Sequence, residues 1–330
     1  MASDHLSLNL GLILQALLTL GLGLGGSIAL FYGLNLGVDR LEEPWRSRLL
    51  PWIYLGPALL ALTAYLILPT LWTLGLSVLD RTSTQFVGLS NYQFAVTNPA
   101  MLEAFRNNLL WLILVTSISV GLGLGIAVLV DRVRYETLIK TTIFLPMAIS
   151  FVGASVIWKF MYDFKPAGFP QIGLLNGIVT ALGADPVGWL VLRPWNNLAL
   201  IAIMIWLQTG FCMVLLSAAI KSIPSEILEA ARMDGANELQ IFWRIILPMT
   251  RSTILVVATT VIVGVLKVFD IVFVMTGGTL GTEVVASRMI KEMFNYRNFG
   301  HGSAIAVILL LAVIPVMIAN IRRFQNQESS

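Results

Sequence analysis

The chain has 330 residues and few charged side chains: Asp, Glu, Lys and Arg make up 12% of it, while 57% of it is hydrophobic. An average soluble domain carries about twice that share of charge, so a soluble globular protein is excluded. Intrinsic disorder is excluded too, because so much apolar surface cannot stay solvated. The composition is that of a membrane protein with several spans.

Residue types that build active sites are also scarce. Cys212 is the single cysteine, so an intrachain disulfide is excluded, and its apolar surroundings predict a small packing residue. The two histidines, His5 and His301, are too isolated to form a metal site. Neither a Ser/His/Asp or Cys/His set within the apolar segments nor a G-x-x-x-x-G-K-[ST] phosphate-binding loop occurs. We therefore expect no catalytic residue, no metal site and no ATP site in this chain.

Stretches without Asp, Glu, Lys or Arg locate the membrane spans. A helix needs about 20 apolar residues to cross roughly 30 Å of hydrocarbon. Seven segments meet this requirement: about 8–36, 52–78, 107–130, 141–160, 197–220, 252–275 and 303–321. Barrel strands would show short alternating segments instead. The sequence thus predicts an all-α polytopic membrane protein with about seven transmembrane helices.

Lys and Arg are distributed unequally between the two sets of loops. Twelve of the 21 fall in 37–51, 131–140, 221–251 and the C-terminal tail, and eight fall in the opposite loops. Since cytoplasmic loops collect positive charge, the first set is predicted to be cytoplasmic. The net charge of +3 then reflects membrane topology and does not indicate nucleic-acid binding.

The segment 221–251 is longer than the other connections on its side and has a helical pattern of its own. Pro224 suits a first helical turn, and Asp234-Gly235 predicts a helix end. A second helical stretch follows over 237–247. Two interpretations are open at this point: an amphipathic hairpin on the membrane surface, or a docking surface for a soluble partner.

The residues of this hairpin carry a spaced motif. Its fixed positions are Glu229-Ala230-Ala231, Gly235, Ile245 and Leu247-Pro248, separated by three, nine and one residues. This is the EAA signature, and it resembles the permease subunits of binding-protein-dependent ABC importers. Further segments resemble the upstream sugar permeases of that family: Phe86 to Tyr92, Phe144-Leu145-Pro146, Phe269-Asp270 and Thr276-Gly277-Gly278. The extra N-terminal span is similar to the α-glucoside or glucosylglycerol branch.

The resemblance implies a fold and a set of partners. The fold is a six-helix type I importer core plus one N-terminal helix, with 1–50 as extra helix and cytoplasmic linker and 51–330 as transmembrane domain. The partners are a homologous second permease subunit in a heterodimer, two copies of an ABC ATPase subunit and an extracytoplasmic solute-binding protein. ATP and Mg would be bound by the ATPase, so this chain is not itself an enzyme. The expected setting is the lipid bilayer of a bacterial inner membrane, with the hairpin and C-terminus cytoplasmic.

The implied function is import of a sugar or sugar-like solute: an oligosaccharide, an α-glucoside or glucosylglycerol. The resemblance assigns ATPase coupling to Glu229, Ala230, Ala231, Asp234, Gly235, Ile245, Leu247 and Pro248. In the family the EAA helix sits in a cleft of the ATPase, where Glu229 would pair with a basic group.

Substrate contacts are expected near the bilayer midplane, at the centre of the fifth span. The candidates are Trp206, Leu207, Gln208 and Phe211, three of which occupy sugar-contacting positions by resemblance to the maltose permease. The counterparts on the sixth span, Val261 and Val265, are aliphatic where that permease has polar side chains. Gln208 has an alternative role, a helix–helix hydrogen bond.

Lys267 and Asp270 lie three residues apart in the predicted sixth span, which suggests an intramembrane ion pair. An ion-coupled secondary transporter is the alternative function, and it would make these two residues central. Such carriers show inverted repeats, which are not evident here. An intramembrane enzyme or scaffold is a third possibility, but the spans lack a polar catalytic cluster.

Overall fold

A computed structural model of the chain describes residues 2–40, 42–131 and 133–328. Across these ranges the structure is helical, and the one β pairing is an isolated bridge between Leu79 and Phe86. The helices are α1 (Ala2–Asp39), α2 (Trp45–Leu76), α3 (Ser90–Thr97), α4 (Pro99–Val130), α5 (Glu136–Ala148), α6 (Phe151–Met161), α7 (Leu174–Ala181), α8 (Trp195–Lys221), α9 (Ser225–Met233), α10 (Glu238–Met249), α11 (Arg251–Leu266), α12 (Asp270–Thr276), α13 (Val285–Ile290, continued by a π turn over Lys291–Asn295) and α14 (Phe299–Glu328).

The chain divides into two compact units, residues 1–72 and 73–330. In the first unit α1 and α2 pack against each other, and an ion pair of 2.9 Å joins Arg46 to Asp39 at their connection. The second unit contains the remaining helices and the main hydrophobic core. The sequence-based division after residue 50 stays a prediction.

The membrane spans agree with the sequence in type and number. Five helices are long and apolar enough to cross a membrane, and seven spans result if two bent helix pairs each count as one. The five are α1 from Leu14 onward, α2, α4, α8 and α14, and the bent pairs are α5–α6 and α10–α11. The predicted all-α polytopic fold is confirmed.

The predicted fourth span, 141–160, coincides with the bent helix pair α5–α6. α5 and α6 meet at 102°, and the break lies at Ile149 and Ser150. The last turn of α5 tightens to a 3₁₀ turn that contains Pro146, and Ser150 then caps α6 by accepting the Gly153 N–H at 3.0 Å. A proline that cannot continue the ladder and a good N-cap residue give the local reason for the break.

The predicted sixth span, 252–275, is interrupted as well. α11 ends at Leu266 with tightened hydrogen bonds from the Lys267 and Val268 N–H groups to carbonyls three residues back, and α12 begins only at Asp270. Val268 and Phe269 are apolar, so the hydropathy pattern continues across this break and does not reveal it. Lys267 is exposed at the end of α11.

α4 and α8 form the centre of the second unit. Apolar side chains do not drive helices together in lipid, so close approach depends on small residues. Gly123 of α4 provides it: a Cβ built at this position would lie 2.5 Å from Cys212 Cβ of α8. Cys212 is completely buried, as expected for a small packing residue. On another side of α8, Gly210 faces the Ile143 carbonyl of α5 in the same way.

Buried polar groups fix the register of these helices. Trp111 of α4 donates its indole N–H to Asn197 of α8 at 2.8 Å. Asn107 of α4 donates to the carbonyls of Gly281 and Glu283, and Asn196 of α8 donates to that of Leu280, each at 2.8 Å. The loop after α12 is thereby tied to two central helices.

Two carboxylates stabilise the same loop region. Lys291 pairs with the buried Glu283 at 2.6 Å, and Arg288 pairs with the buried Glu292 at 2.5 Å. Burial tends to raise the pKa of Glu292, but hydrogen bonds from His301 and Arg288 outweigh it and hold this pKa below its usual value. The loop that leads out of α12 is therefore held in one position.

Because the α4–α8 approach depends on Gly123, we expect Gly123→Ala to destabilise the protein by about 1–3 kcal/mol through overpacking. Gly121→Ala and Gly125→Ala are matched controls on the same helix, since an added Cβ at either position meets nothing within 4 Å. Thermal unfolding of the purified variants measures the difference. Equal midpoints for all three variants would contradict this account of the packing.

Candidate functional site

A cavity of about 420 Å³ lies where α8 passes the break between α5 and α6. Residues on both sides of the break line it together with two residues of α8 and the first residue of α12: Met147, Ile149, Ser150, Phe151, Val152, Leu207, Gln208 and Asp270. Non-helical backbone at membrane depth is tolerated where it lines such a cavity, and transporter sites are built at broken helices. The cavity is therefore the candidate solute site.

Two polar side chains of this cavity, those of Gln208 and Asp270, have no partner within the part of the chain that the structure describes. Among the described residues, neither a hydrogen bond nor an ion pair engages the Gln208 amide or the Asp270 carboxylate. The Gln208 Nε2 lies toward α11, 3.9 Å from a Cβ built at Gly264. Both residues are part-exposed, so their hydrogen-bonding groups remain available to a ligand in the cavity.

Of the four predicted substrate residues, two line the cavity and two pack elsewhere. Leu207 and Gln208 line the cavity. Trp206 packs edge-on against Trp158 with ring centroids 5.8 Å apart, and Phe211 packs against the hydrophobic core. Val261 and Val265 are buried in that core. The helix–helix hydrogen bond considered for Gln208 is not formed within the described part of the chain.

The predicted pair of Lys267 and Asp270 is not formed in the described structure. The two residues would lie one turn apart on a continuous helix, but α11 ends before Lys267 and α12 starts at Asp270. The break moves Asp270 to the cavity and leaves Lys267 exposed. Spacing in the sequence could not reveal this, since it presupposes an unbroken helix.

The predicted hairpin is present as α9 and α10. α9 ends in a Schellman motif: the Gly235 N–H binds the Arg232 carbonyl and the Ala236 N–H binds the Ala231 carbonyl, both at 3.0 Å. Gly235 has a φ of +83°, the left-handed conformation that favours glycine. This turn reverses the chain within a few residues and brings α10 back beside α9, where Arg232 and Glu238 form an ion pair of 3.1 Å.

The start of α10 and the π turn within it have identifiable causes. Asn237 and Gln240 form a capping box, in which each side chain accepts the backbone N–H of the other residue. A π turn over Phe242–Ile246 widens the helix just before Pro248. Proline cannot donate to the ladder and crowds the preceding turn, so the wider turn accommodates it.

The hairpin has one face on the core and one free face. Ile241 and Ile246 are buried, whereas Met233, Leu239 and Trp243 are exposed to 88%, 66% and 59%. Of the predicted coupling residues, Ala231, Ile245 and Leu247 pack against the core. The others are exposed: Glu229, Ala230, Asp234, Gly235 and Pro248. Large apolar side chains beside an exposed carboxylate fit both interpretations of the hairpin, a docking surface for a protein partner and an amphipathic hairpin on the membrane surface.

A charge cluster at the base of the hairpin was not expected from the sequence. Lys140 of α5 pairs with Asp131 at 3.1 Å and with Glu136 at 2.5 Å. Lys221, the last residue of α8, pairs with the same two carboxylates at 3.6 and 2.5 Å, and Ser217 hydrogen-bonds to Lys140. The cluster joins α8 to α5 immediately before the hairpin. In the sequence, the one indication of this cluster was the spacing of four residues between Glu136 and Lys140, which allows an ion pair on a helix.

The Schellman turn generates a prediction. A side chain at Gly235 meets nothing within 4 Å, so the penalty for substitution is conformational alone. Gly235→Ala should destabilise the hairpin by about 1–2 kcal/mol and Gly235→Val by more, while Gly235→Asn should cost less because asparagine visits this conformation. Hydrogen exchange of residues 225–249 measures the effect. Protection that is equal in the valine and asparagine variants would contradict it.

Comparisons with known proteins agree with this architecture. The family model described as "Binding-protein-dependent transport system inner membrane component" matches residues 117–327. The osmoprotective compounds uptake permease protein GgtC of Synechocystis is 72% identical over 84% of this chain and 99% of its own length. The α-glucoside transport system permease protein AglF of Rhizobium meliloti is 51% identical over 82% of this chain and 81% of its own.

A solved structure has the same fold. A chain in the crystal structure of a bacterial alginate ABC transporter, in complex with an alginate pentasaccharide-bound periplasmic protein, superposes with a TM-score of 0.74. It is 21% identical, and the match covers 84% of this chain and 96% of that one. The resemblance based on the EAA motif and the type I importer fold are confirmed, against the ion-coupled carrier. The chain belongs to the family of binding-protein-dependent transport system inner membrane components and is the permease subunit of an ABC importer.

Proposed function

We propose that this permease carries a sugar or sugar-like solute, of the oligosaccharide, α-glucoside or glucosylglycerol type, across a bacterial inner membrane. The observation that carries the proposal is the cavity, in which the Gln208 amide and the Asp270 carboxylate face one space beside apolar Leu207 and Phe151. Sugar hydroxyls need acceptors and donors, and sugar rings have apolar faces. The names of the two close relatives, which concern osmoprotective compounds and α-glucosides, support the same solute class.

The partners follow from the free face of the hairpin. We infer that Glu229 and the exposed apolar side chains Met233, Leu239 and Trp243 dock into an ABC ATPase subunit, which binds ATP and Mg and hydrolyses the ATP. Two ATPase copies serve this chain and a homologous second permease in a heterodimer. A solute-binding protein delivers the solute from the extracytoplasmic side. The excess of Lys and Arg in the loops on that side supports a cytoplasmic location for the hairpin and the C-terminus.

The helix connections suggest how docking of the hairpin would displace the helices that line the cavity. α9 follows α8 after a short connection, and the cluster of Lys140, Lys221, Asp131 and Glu136 joins the end of α8 to α5. α8 and α5 also meet closely at Gly210. A displacement of the hairpin is therefore transmitted to two helices that line the cavity, as one rigid body. Both helices would shift relative to Asp270 on α12.

The docking proposal is tested by charge reversal. Glu229→Lys should lower solute-stimulated ATP hydrolysis by more than tenfold in the assembled complex, because it replaces an attraction at the ATPase contact with a repulsion. Glu226→Lys is the matched control, since Glu226 is exposed on the same helix but lies outside the motif. ATPase assays of complexes in lipid nanodiscs measure both. An unimpaired Glu229→Lys complex would remove Glu229 from the contact.

The solute site is tested at Gln208. Loss of a hydrogen bond in a buried site costs about 1–3 kcal/mol, so Gln208→Ala should weaken the apparent affinity for an α-glucoside roughly five- to 150-fold. Thr209→Ala is the control, because the Thr209 hydroxyl is already satisfied by the Ile205 carbonyl at 2.7 Å and does not line the cavity. Uptake kinetics in proteoliposomes supply the measurement. If both variants keep the affinity of the unmodified complex, Gln208 does not contact the solute.

A further inference from the structure

The cavity carries a single ionisable group among its described lining residues, the carboxylate of Asp270. Its other polar side chains are Ser150 and Gln208, and the remaining five are apolar. Its lining, as far as the structure describes the chain, contains neither Lys, Arg nor His. Lys267, the nearest cation along the chain, is exposed and lies on the other side of the helix break.

The Asp270 carboxylate is half-buried and has neither an ion-pair nor a hydrogen-bond partner within the described ranges. Three other carboxylates of the second unit are compensated: Glu283 pairs with Lys291, Glu292 with Arg288, and Glu136 with Lys140. Asp163 is half-buried and also lacks such a partner within the described ranges, but it does not line the cavity. The position of Asp270 at the cavity is therefore what makes its carboxylate a candidate for binding a ligand. Ionised Asp is an acceptor only, so its natural ligands are O–H and N–H groups.

We propose that Asp270 determines the charge specificity of the permease by accepting hydrogen bonds from the hydroxyl groups of a neutral solute and repelling anionic ones. This inference rests on the proposed function and narrows it to neutral polyhydroxylated solutes. The cavity, at about 420 Å³, lies within the range of roughly 300–1,000 Å³ typical of small-molecule sites, which favours a small glycoside over a long polymer.

Two other solute classes fit less well. An acidic saccharide, such as the alginate that a structurally similar transporter imports, would place its carboxylates beside Asp270 without a cation among the described lining residues. A quaternary ammonium solute needs several aromatic faces, and Phe151 is the one aromatic ring in that lining. Hydroxyl groups match what the lining offers: one charged acceptor, one amide and one hydroxyl.

The test uses pairs of probes that differ in charge. Methyl α-glucoside is compared with methyl α-glucuronide, and glucosylglycerol with glucosylglycerate. Binding to the complex of both permeases and ATPase is measured by calorimetry in nanodiscs, without the solute-binding protein, so that its selectivity does not enter. The unmodified complex should bind at least one neutral probe and bind the anionic member of that pair at least tenfold more weakly.

Asp270→Asn keeps the size and one acceptor but removes the charge. It should weaken binding of the neutral probe by about tenfold, because a charged acceptor is lost. The ratio of the affinity for the neutral probe to that for the anionic probe should also fall close to one within each pair. A merely structural role of Asp270 would not produce this effect. Lys267→Gln is the matched control, since it changes a nearby charge outside the cavity, and its ratio should equal that of the unmodified complex.

The outcomes separate this inference from the proposed function. If the complex binds neutral glucosides and Asp270→Asn keeps the full discrimination against the anionic probes, the role of Asp270 is refuted while the proposed function stands. If the unmodified complex prefers the anionic probes, the charge specificity is refuted as well. If it binds neither neutral probe, the hydroxyl-accepting role of Asp270 is refuted, and if the complete importer with its solute-binding protein also takes up neither probe, the proposed function itself fails.

Discussion

A helix that breaks inside a bilayer frees backbone N–H and C=O groups for which lipid offers no partner. This constraint organises the second unit. The break between α5 and α6 is closed by a 3₁₀ turn and by the Ser150 cap, and the break between α11 and α12 by tightened backbone hydrogen bonds. The cavity forms at the first break, with residues of α8 and α12 beside it.

The unbroken helix α8 is the element on which both functional regions depend. Its small residues Gly210 and Cys212 allow α5 and α4 to approach its backbone closely. At mid-length it presents Leu207 and Gln208 to the cavity, and at its C-terminal end Lys221 enters the charge cluster beside the hairpin. A single helix thus extends from the cavity to the charge cluster beside the hairpin.

The hairpin and the cavity are stabilised by different kinds of interaction. The hairpin is held by local rules: a Schellman turn at Gly235, a capping box at Asn237 and a π turn ahead of Pro248. The cavity is held by long-range hydrogen bonds, in which Asn107 and Asn196 fix the loop that follows α12. Local backbone geometry therefore defines the hairpin, whereas contacts between distant parts of the chain define the loop that follows α12.

Local pattern was enough to predict the all-α fold, the number of spans, the hairpin and the family, since long apolar runs, glycine after a helix and a spaced motif all act within a few turns of chain. The outcome for Lys267 and Asp270 was decided by the tertiary structure. Their spacing predicts a pair only on an unbroken helix, and the apolar Val268 and Phe269 conceal the break. The same holds for the cluster of Lys140, Lys221, Asp131 and Glu136, because charges at the ends of three segments meet only when the helices pack. Hydropathy records the environment that each residue prefers, whereas the partner that each polar group finds depends on close approach between helices, as at Gly123 and Gly210.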